Sequence, residues 1–279
     1  MTYGIKITIL VDNRAEDDLR AEHGLSLWIE ADGKRVLFDT GQSEALLENA
    51  RSLDLDLDLA KADAIVLSHG HYDHTGGLAR VLEQAAGAHL YFHPSALQTR
   101  YSITAGEVRE IQLPSSSLAA IESLPSKRSH LVVKPLMLAP RIGLTGPIPR
   151  ESSCEDTGGP FYLDREGLLP DPIEDDLAIW IAGDQGALVC VGCSHAGIIN
   201  TLNYVRHVSA SAQVRAVLGG FHLLNADRRR IDETLQAFRA LDPGLIVCCH
   251  CTGGHATETL RGALGERVLV GSAGLSYQF

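Results

Sequence analysis

Apolar residues recur along the chain in two rhythms, and their alternation sets the expected architecture. "IKITILVD" (5–12) and "GLSLWIEADGKRVLFDTG" (24–41) are short runs rich in β-branched and aromatic residues, the second broken at Asp32-Gly33. They predict one strand and then a hairpin, because Asp-Gly supplies the positive-φ positions of a tight turn. The rhythm then becomes helical: Leu46, Leu47, Ala50 and Leu53 share a face, with Ser43 placed to cap the helix start. "ADAIVLSHGH" (62–71) returns to an unbroken strand pattern, and Leu78, Val81, Leu82 and Ala85 resume i, i+3, i+4 spacing.

The later chain repeats this unit. "ALVCVGCSHAG" (187–197), "VRAVLGGFHLL" (214–224) and "GLIVCCHCTGG" (244–254) each run a strand pattern into a histidine. Helical spacing follows each: Ile198/Leu202/Val205, Ile231/Leu235/Phe238 and Leu260/Leu264. Repeated βα alternation predicts helix-flanked sheets with successive strand ends along one rim, so the histidines at four such ends are expected to converge. "GDQG" (183–186), between two apolar runs, reads as a hairpin turn. Residues 88–176 are less regular. "AHLYFHP", "REIQL", "HLVVKPLMLA" and "RIGLTG" suggest strands, 116–123 a short helix, and 147–176, rich in Pro, Gly and acids, a long surface excursion. Loops of that length often serve as lids or binding loops.

With 279 residues, 45% of them hydrophobic, the chain can bury a sizeable core in one domain. It shows no low-complexity tract, short-period repeat or linker, so the expectation is a single domain over 1–279 with an insertion or lid at about 95–175. A formal charge of −11 argues against nucleic-acid or anionic-membrane partners, which need a basic face. No apolar run approaches the roughly 18 residues of a membrane span. The N-terminal stretch ends in acids and lacks the basic region and cleavage site of a signal peptide. Six cysteines, two of them adjacent at Cys248-Cys249, fit a disulfide framework poorly, which makes a reducing cytoplasm the expected compartment.

"SHGHYDHTGG" (68–77) crowds His69, His71, Asp73 and His74 together at the end of a strand pattern. Backbone hydrogen bonds alone would hardly satisfy four such side chains in one turn. Imidazole mixed with carboxylate suits Zn(II), Fe(II) or Mn(II), and the mixture is typical of catalytic sites, where structural zinc favours Cys₄ or Cys₂His₂ sets. Cys190-x-x-Cys193 has knuckle spacing but no partner pair.

The signature His69-x-His71-x-Asp73-His74, the upstream "FDTG" (38–41) and the later His195 and His250 resemble the metallo-β-lactamase superfamily. The wording "SHGHYDHTGGL", "EDDLAIWI", "VGCSHAGIIN", "GGFHL" and "CHCTG" is similar to a prokaryotic subgroup of metal-dependent hydrolases. Some members of that subgroup carry the label of a dihydropterin ribofuranosyl-aminobenzene phosphate synthase. The resemblance implies an α/β fold, a four-layer αββα sandwich with the metal site at one edge of the sheets. It implies two divalent metal ions, Zn2+ first with Fe or Mn as alternatives. His69, His71 and His195 would bind the first, and Asp73, His74 and His250 the second. Asp73 would also orient a hydroxide shared by the two ions, and Asp39 would steady a ligand from behind.

One departure stands out. The superfamily commonly supplies a bridging Asp between the third and last ligand histidines, but here the acids in that interval are Asp227, Asp232, Glu233 and Asp242, all in or beside helix-like stretches. The matching strand end offers His222, as bridge substitute or as a hydrogen-bond donor to substrate, and Cys193 is a second candidate. Cys248, Cys249 and Cys251 read as core thiols. His23 reads as an ordinary histidine, and Lys134, Arg141 and Arg150 as surface cations or anion contacts in equal measure. The function implied is a dinuclear hydrolase acting on a small molecule, anionic ones included: a phosphate ester, lactone, thioester or amide. The alternatives are a pterin-related synthase or transferase, or a metal-binding protein without catalysis. Two-iron reductases are disfavoured, since they prefer glutamate at the position of His71 and carry a flavin domain. Oligomeric state is not legible.

Overall fold

The computed structural model of the protein describes residues 4–279. The chain forms two compact units, one from residues up to Val133 with Pro160–Asp175 and Ser272–Phe279, the other from Lys134–Gly159 and Asp176–Gly271. Segment 95–175 therefore contributes to both. Residues 1–3 of the expected single domain lie outside the described residues.

The first unit is built on a seven-stranded mixed sheet. Its order is Ser276–Gln278, Lys6–Val11, Ser26–Ala31, Lys34–Phe38, Ala64–Val66, His89–Phe92, Ser129–Leu131. The expected hairpin closes with Ala31 opposite Lys34, and Asp32 and Gly33 take φ of 53° and 69°. From Lys34–Phe38 onward the strands are parallel. Asp39 and the histidine-rich turn thus leave the sheet at the same carboxyl edge, where parallel sheets place their ligands. Helices Ala45–Ser52 and Leu78–Gln84 bury Leu46, Leu47, Ala50, Leu78, Val81 and Leu82 in one cluster with Trp28, Leu37 and Ile65. Each fully buried leucine contributes about 1.5–3 kcal/mol.

The cap differs from expectation. Helix Ala45–Ser52 begins after Glu44 with no side-chain cap bond, and the Ser43 hydroxyl donates to the Glu22 carboxylate, which also takes the Gln42 and Ser43 N–H groups. An ionised carboxylate is the stronger acceptor, so it claims the hydroxyl and the turn together. "REIQL" is strand only to Glu110, after which Gln112 makes an isolated bridge to His71. A small three-stranded sheet of Phe161–Tyr162, Tyr101–Thr104 and Glu107–Glu110 completes this unit.

The second unit has its own seven-stranded sheet. Its order is Val268–Val270, Leu245–Cys249, Val214–Gly220, Gly186–Val191, Ala178–Gly183, Ile142–Leu144, Leu136–Ala139. The first four strands are parallel and the last three antiparallel. "GDQG" is the hairpin turn, with Gly183 paired to Gly186. "HLVVKPLMLA" is not one strand: Ser129–Leu131 and Leu136–Ala139 belong to different sheets, and Pro135 between them has no N–H to extend a ladder. Helices Ile198–Val208, Arg228–Leu241 and Gly254–Leu264 follow the three histidine-bearing strands, burying Leu202, Phe238 and Leu260 against Val189, Val217 and Ile246. The six cysteines are free thiols. Among the described residues no helix is long and apolar enough to cross a membrane.

Candidate metal centre

In the first unit the turn after Ala64–Val66 brings His69, His71, Asp73 and His74 together, all nearly inaccessible to solvent. His69 Nε2 and His71 Nδ1 lie 3.0 Å apart. Two nitrogens bound tetrahedrally to one zinc at ~2.05 Å would be about 3.3 Å apart, so the pair is spaced like two ligands of a single ion. His74 Nε2 and Asp73 Oδ2, 3.9 Å apart, form a second pair.

The backs of these rings are held. His74 Nδ1–H donates to Asp39 Oδ2 at 2.6 Å. The Ser68 hydroxyl donates to the same oxygen at 2.7 Å and stands 2.8 Å from His69 Nδ1, while Ser68 N–H donates to Asp39 Oδ1 at 2.7 Å. These bonds fix tautomers that leave Nε2 of His69 and His74 as lone-pair donors. Burial, aided by the Arg100 guanidinium, pushes the His71 imidazole down to about 3, so it is neutral and able to coordinate at pH 7.

Sequence reasoning missed the support beneath this turn. Arg100 is fully buried between two carboxylates, 2.8 Å from Asp171 and 2.8 Å from Asp175. Asp175 also accepts the Gly70 N–H at 2.7 Å, between the two leading histidines. Burial pushes the Asp171 carboxyl up, against the pull of Arg100. Nothing in local spacing links Arg100 to residues some 75 positions later. His23, read as ordinary, places Nε2 3.2 Å from Asp73 Oδ2.

The second unit brings together the histidines of three strand ends. Cys193, His195 and His222 present donor atoms within 4.8 Å of one another, and so do Cys193, His250 and Cys251. Both candidates for the missing bridge, His222 and Cys193, therefore stand beside His195, whose ring centroid is 4.4 Å from that of His222. His195 Nδ1–H donates to the Thr157 carbonyl at 2.7 Å, which leaves Nε2 as its lone-pair donor. Arg150 donates to the His195 carbonyl at 2.6 Å, which makes it part of the scaffold of this turn. Asp176, in the quoted "EDDLAIWI", accepts the Ala196 N–H at 2.7 Å. Cys248 and Cys249 lie buried on their strand as expected, but Cys251 stands within the donor group.

The turns carrying these groups are strained. Ser194, His222 and His250 have φ of 55°, 45° and 44°, and Asp39 in the first unit has 61°. Left-handed conformations cost non-glycine residues of the order of 1–2 kcal/mol and collect at functional sites. We expect His222→Gly to raise the stability of chelator-treated protein by about 1 kcal/mol while lowering metal retention, read from denaturation midpoints and metal analysis. The helix after His195 has no cap of its own; Glu155 accepts the N–H groups of Ile199 and Asn200 at 2.9 Å each. Burial pushes the Glu155 carboxyl up, against those two bonds. Glu155→Ala will cost about 1–2 kcal/mol in urea unfolding, the usual loss at a helix N-terminus.

Residues 19–250 match the family model of the metallo-beta-lactamase superfamily, and the chain belongs to that superfamily. It is 32% identical over 261 residues to the 7,8-dihydropterin-6-methyl-4-(beta-D-ribofuranosyl)-aminobenzene-5'-phosphate synthase of Methanocaldococcus jannaschii, covering 89% of this chain and 88% of that protein. A second protein of the same organism, uncharacterized, is 33% identical over 262 residues, with 91% and 93% covered. The crystal structure of a metal-dependent hydrolase of the beta-lactamase superfamily is similar over 99% of both chains, with a TM-score of 0.82 and 28% identity. The metallo-β-lactamase fold expected from the signature is thereby established, and with it an α/β chain with two mixed sheets.

Proposed function

We propose that the protein is a dinuclear metal-dependent hydrolase of a small substrate, whose metal ligands are His69, His71, Asp73 and His74 in the first unit and His195 and His250 in the second. The observation that carries this reading is the donor chemistry. In each unit, imidazoles whose far nitrogens are tied to carboxylate, hydroxyl or carbonyl stand in groups of ligand spacing. Such sets fit Zn2+, with Fe or Mn as alternatives. When bound, a pair of divalent ions supplies Lewis acidity toward a carbonyl or phosphoryl oxygen and a water acidic enough to attack at neutral pH.

The chain's own residues do the positioning. Asp39 and Ser68 hold the rings of His69 and His74, and Thr157 holds that of His195. Asp73 would bind and orient, and His222 would stand in for the bridging carboxylate or donate to substrate. Phosphate esters, lactones, thioesters and amides share the polarised oxygen that this chemistry needs. The test is turnover of a panel of these substrates by metal-replete protein, chelator-treated protein and Asp73→Asn. Hydrolysis that depends on metal and falls at least 100-fold in the variant supports the reading; a panel untouched by metal-replete protein argues against it.

A second reading has a specific observation behind it, the similarity over 89% of this chain to a synthase named for a phosphorylated dihydropterin–ribofuranosyl-aminobenzene conjugate. On that reading the same residues would hold ions that bind a phosphorylated aminobenzene partner while it displaces a leaving group from a pterin. Condensation of such a substrate with a pterin, in the absence of hydrolysis, would favour it.

A further inference from the structure

We propose that Cys251, read from sequence as a core thiol, is with Cys193 and His250 part of a sulfur-rich cation site in the second unit. The inference rests on the reading above that His250 is a metal ligand, and it adds two thiolates to that ion. The three donor atoms lie within 4.8 Å of one another, and the residues are 2%, 9% and 8% exposed for Cys193, His250 and Cys251. The Cys251 thiol donates to the Cys193 carbonyl at 3.7 Å, at the turn that follows strand Leu245–Cys249, and loses that bond when it ligates as thiolate.

Space for this sulfur is built into the neighbouring strand. A Cβ on Gly220, the last residue of Val214–Gly220, would come within 2.5 Å of Cys251 Sγ, so the glycine leaves room for that atom. Two further contacts knit the turns around it: Ser194 Oγ donates to the Gly220 carbonyl at 2.8 Å, and the Phe221 N–H donates to Thr252 Oγ1 at 3.1 Å. Other cysteines are placed differently. Burial pushes the Cys190 and Cys248 thiols up to about 12, and both lie within strands. They are inert core groups.

Thiolate donors favour zinc, cadmium or cobalt over manganese or magnesium. Binding converts two thiols to thiolates on the ion and releases two protons to solvent, so affinity falls as pH drops.

The test is a cobalt titration of the chelator-stripped, full-length protein, following thiolate-to-cobalt charge-transfer absorption in the near ultraviolet. Cobalt content is measured in parallel. We expect a band in the wild type that Cys251→Ser and Cys193→Ser each roughly halve and that Cys190→Ser leaves unchanged. X-ray absorption of zinc-loaded wild type gives the answer without any variant: two Zn–S contacts per chain at ~2.3 Å. Cobalt bound with no such band, a band indifferent to Cys251→Ser, or fewer than two sulfurs per chain overturns the inference and leaves the dinuclear reading standing. Absence of any bound cobalt or zinc overturns both.

Discussion

Replacing Asp39 with asparagine will weaken metal binding roughly 10–100-fold while the fold survives, the usual effect of losing a partner that orients a ligand. The carboxylate takes three donors at once: His74 Nδ1–H, the Ser68 hydroxyl and the Ser68 N–H. An asparagine has one accepting oxygen, so its NH₂ must face at least one of those donors. Either the His74 and Ser68 side chains or the Ser68 N–H then lose their acceptor, and the charge that strengthens the His74 bond is gone either way. Backbone strain is not the cause, because asparagine tolerates the left-handed conformation that Asp39 adopts at φ 61°. Calorimetric zinc titration reads the affinity and circular dichroism checks the fold. Unaltered affinity in a folded variant would remove Asp39 from the account.

The second large effect lies beneath the histidine turn. Arg100→Met leaves Asp171 and Asp175 buried and facing each other without a cation. Breaking a buried ion pair from one side costs about 3–5 kcal/mol, equivalent to a drop of roughly 10 °C in melting temperature for a chain of this size. Asp175 holds the Gly70 N–H between His69 and His71, so the damage reaches the ligand turn as well as the core. Replacing all three members by apolar residues of similar volume should recover most of the stability. It would not recover the geometry of the turn, which needs the Asp175 acceptor. Thermal melts of the single and triple variants, each with and without zinc, separate the two roles. A single variant as stable as wild type would show that the cluster does not anchor the turn.

Much of this was legible in the chain. Asp32-Gly33 announced a hairpin because its φ values are demanded locally, and the change from strand to helix spacing located all three helices that follow His195, His222 and His250. The signature turn was legible for the same reason: its donors sit within six residues. What could not be read were contacts made by folding over long separations. Arg100 meets Asp171 and Asp175 only after the chain has crossed into the second unit and returned. Glu155 caps a helix more than forty residues away, and Glu22 displaces Ser43 as the organiser of its turn. Cys251 is buried as a core thiol was expected to be, but the 3₁₀ turn past the strand end that places it beside His250 was not legible. "HLVVKPLMLA" does form strands, but hydrophobicity alone does not say that they belong to two different sheets.

The central claim is that the chain binds two divalent ions through its clustered histidines. Its most direct test is metal analysis of metal-replete protein after gel filtration, for the wild type, His71→Ala and His250→Ala. The account predicts about two equivalents in the wild type and loss of at least one in each variant, with the fold retained. One equivalent or less in the wild type, or two that persist in both variants, would contradict it.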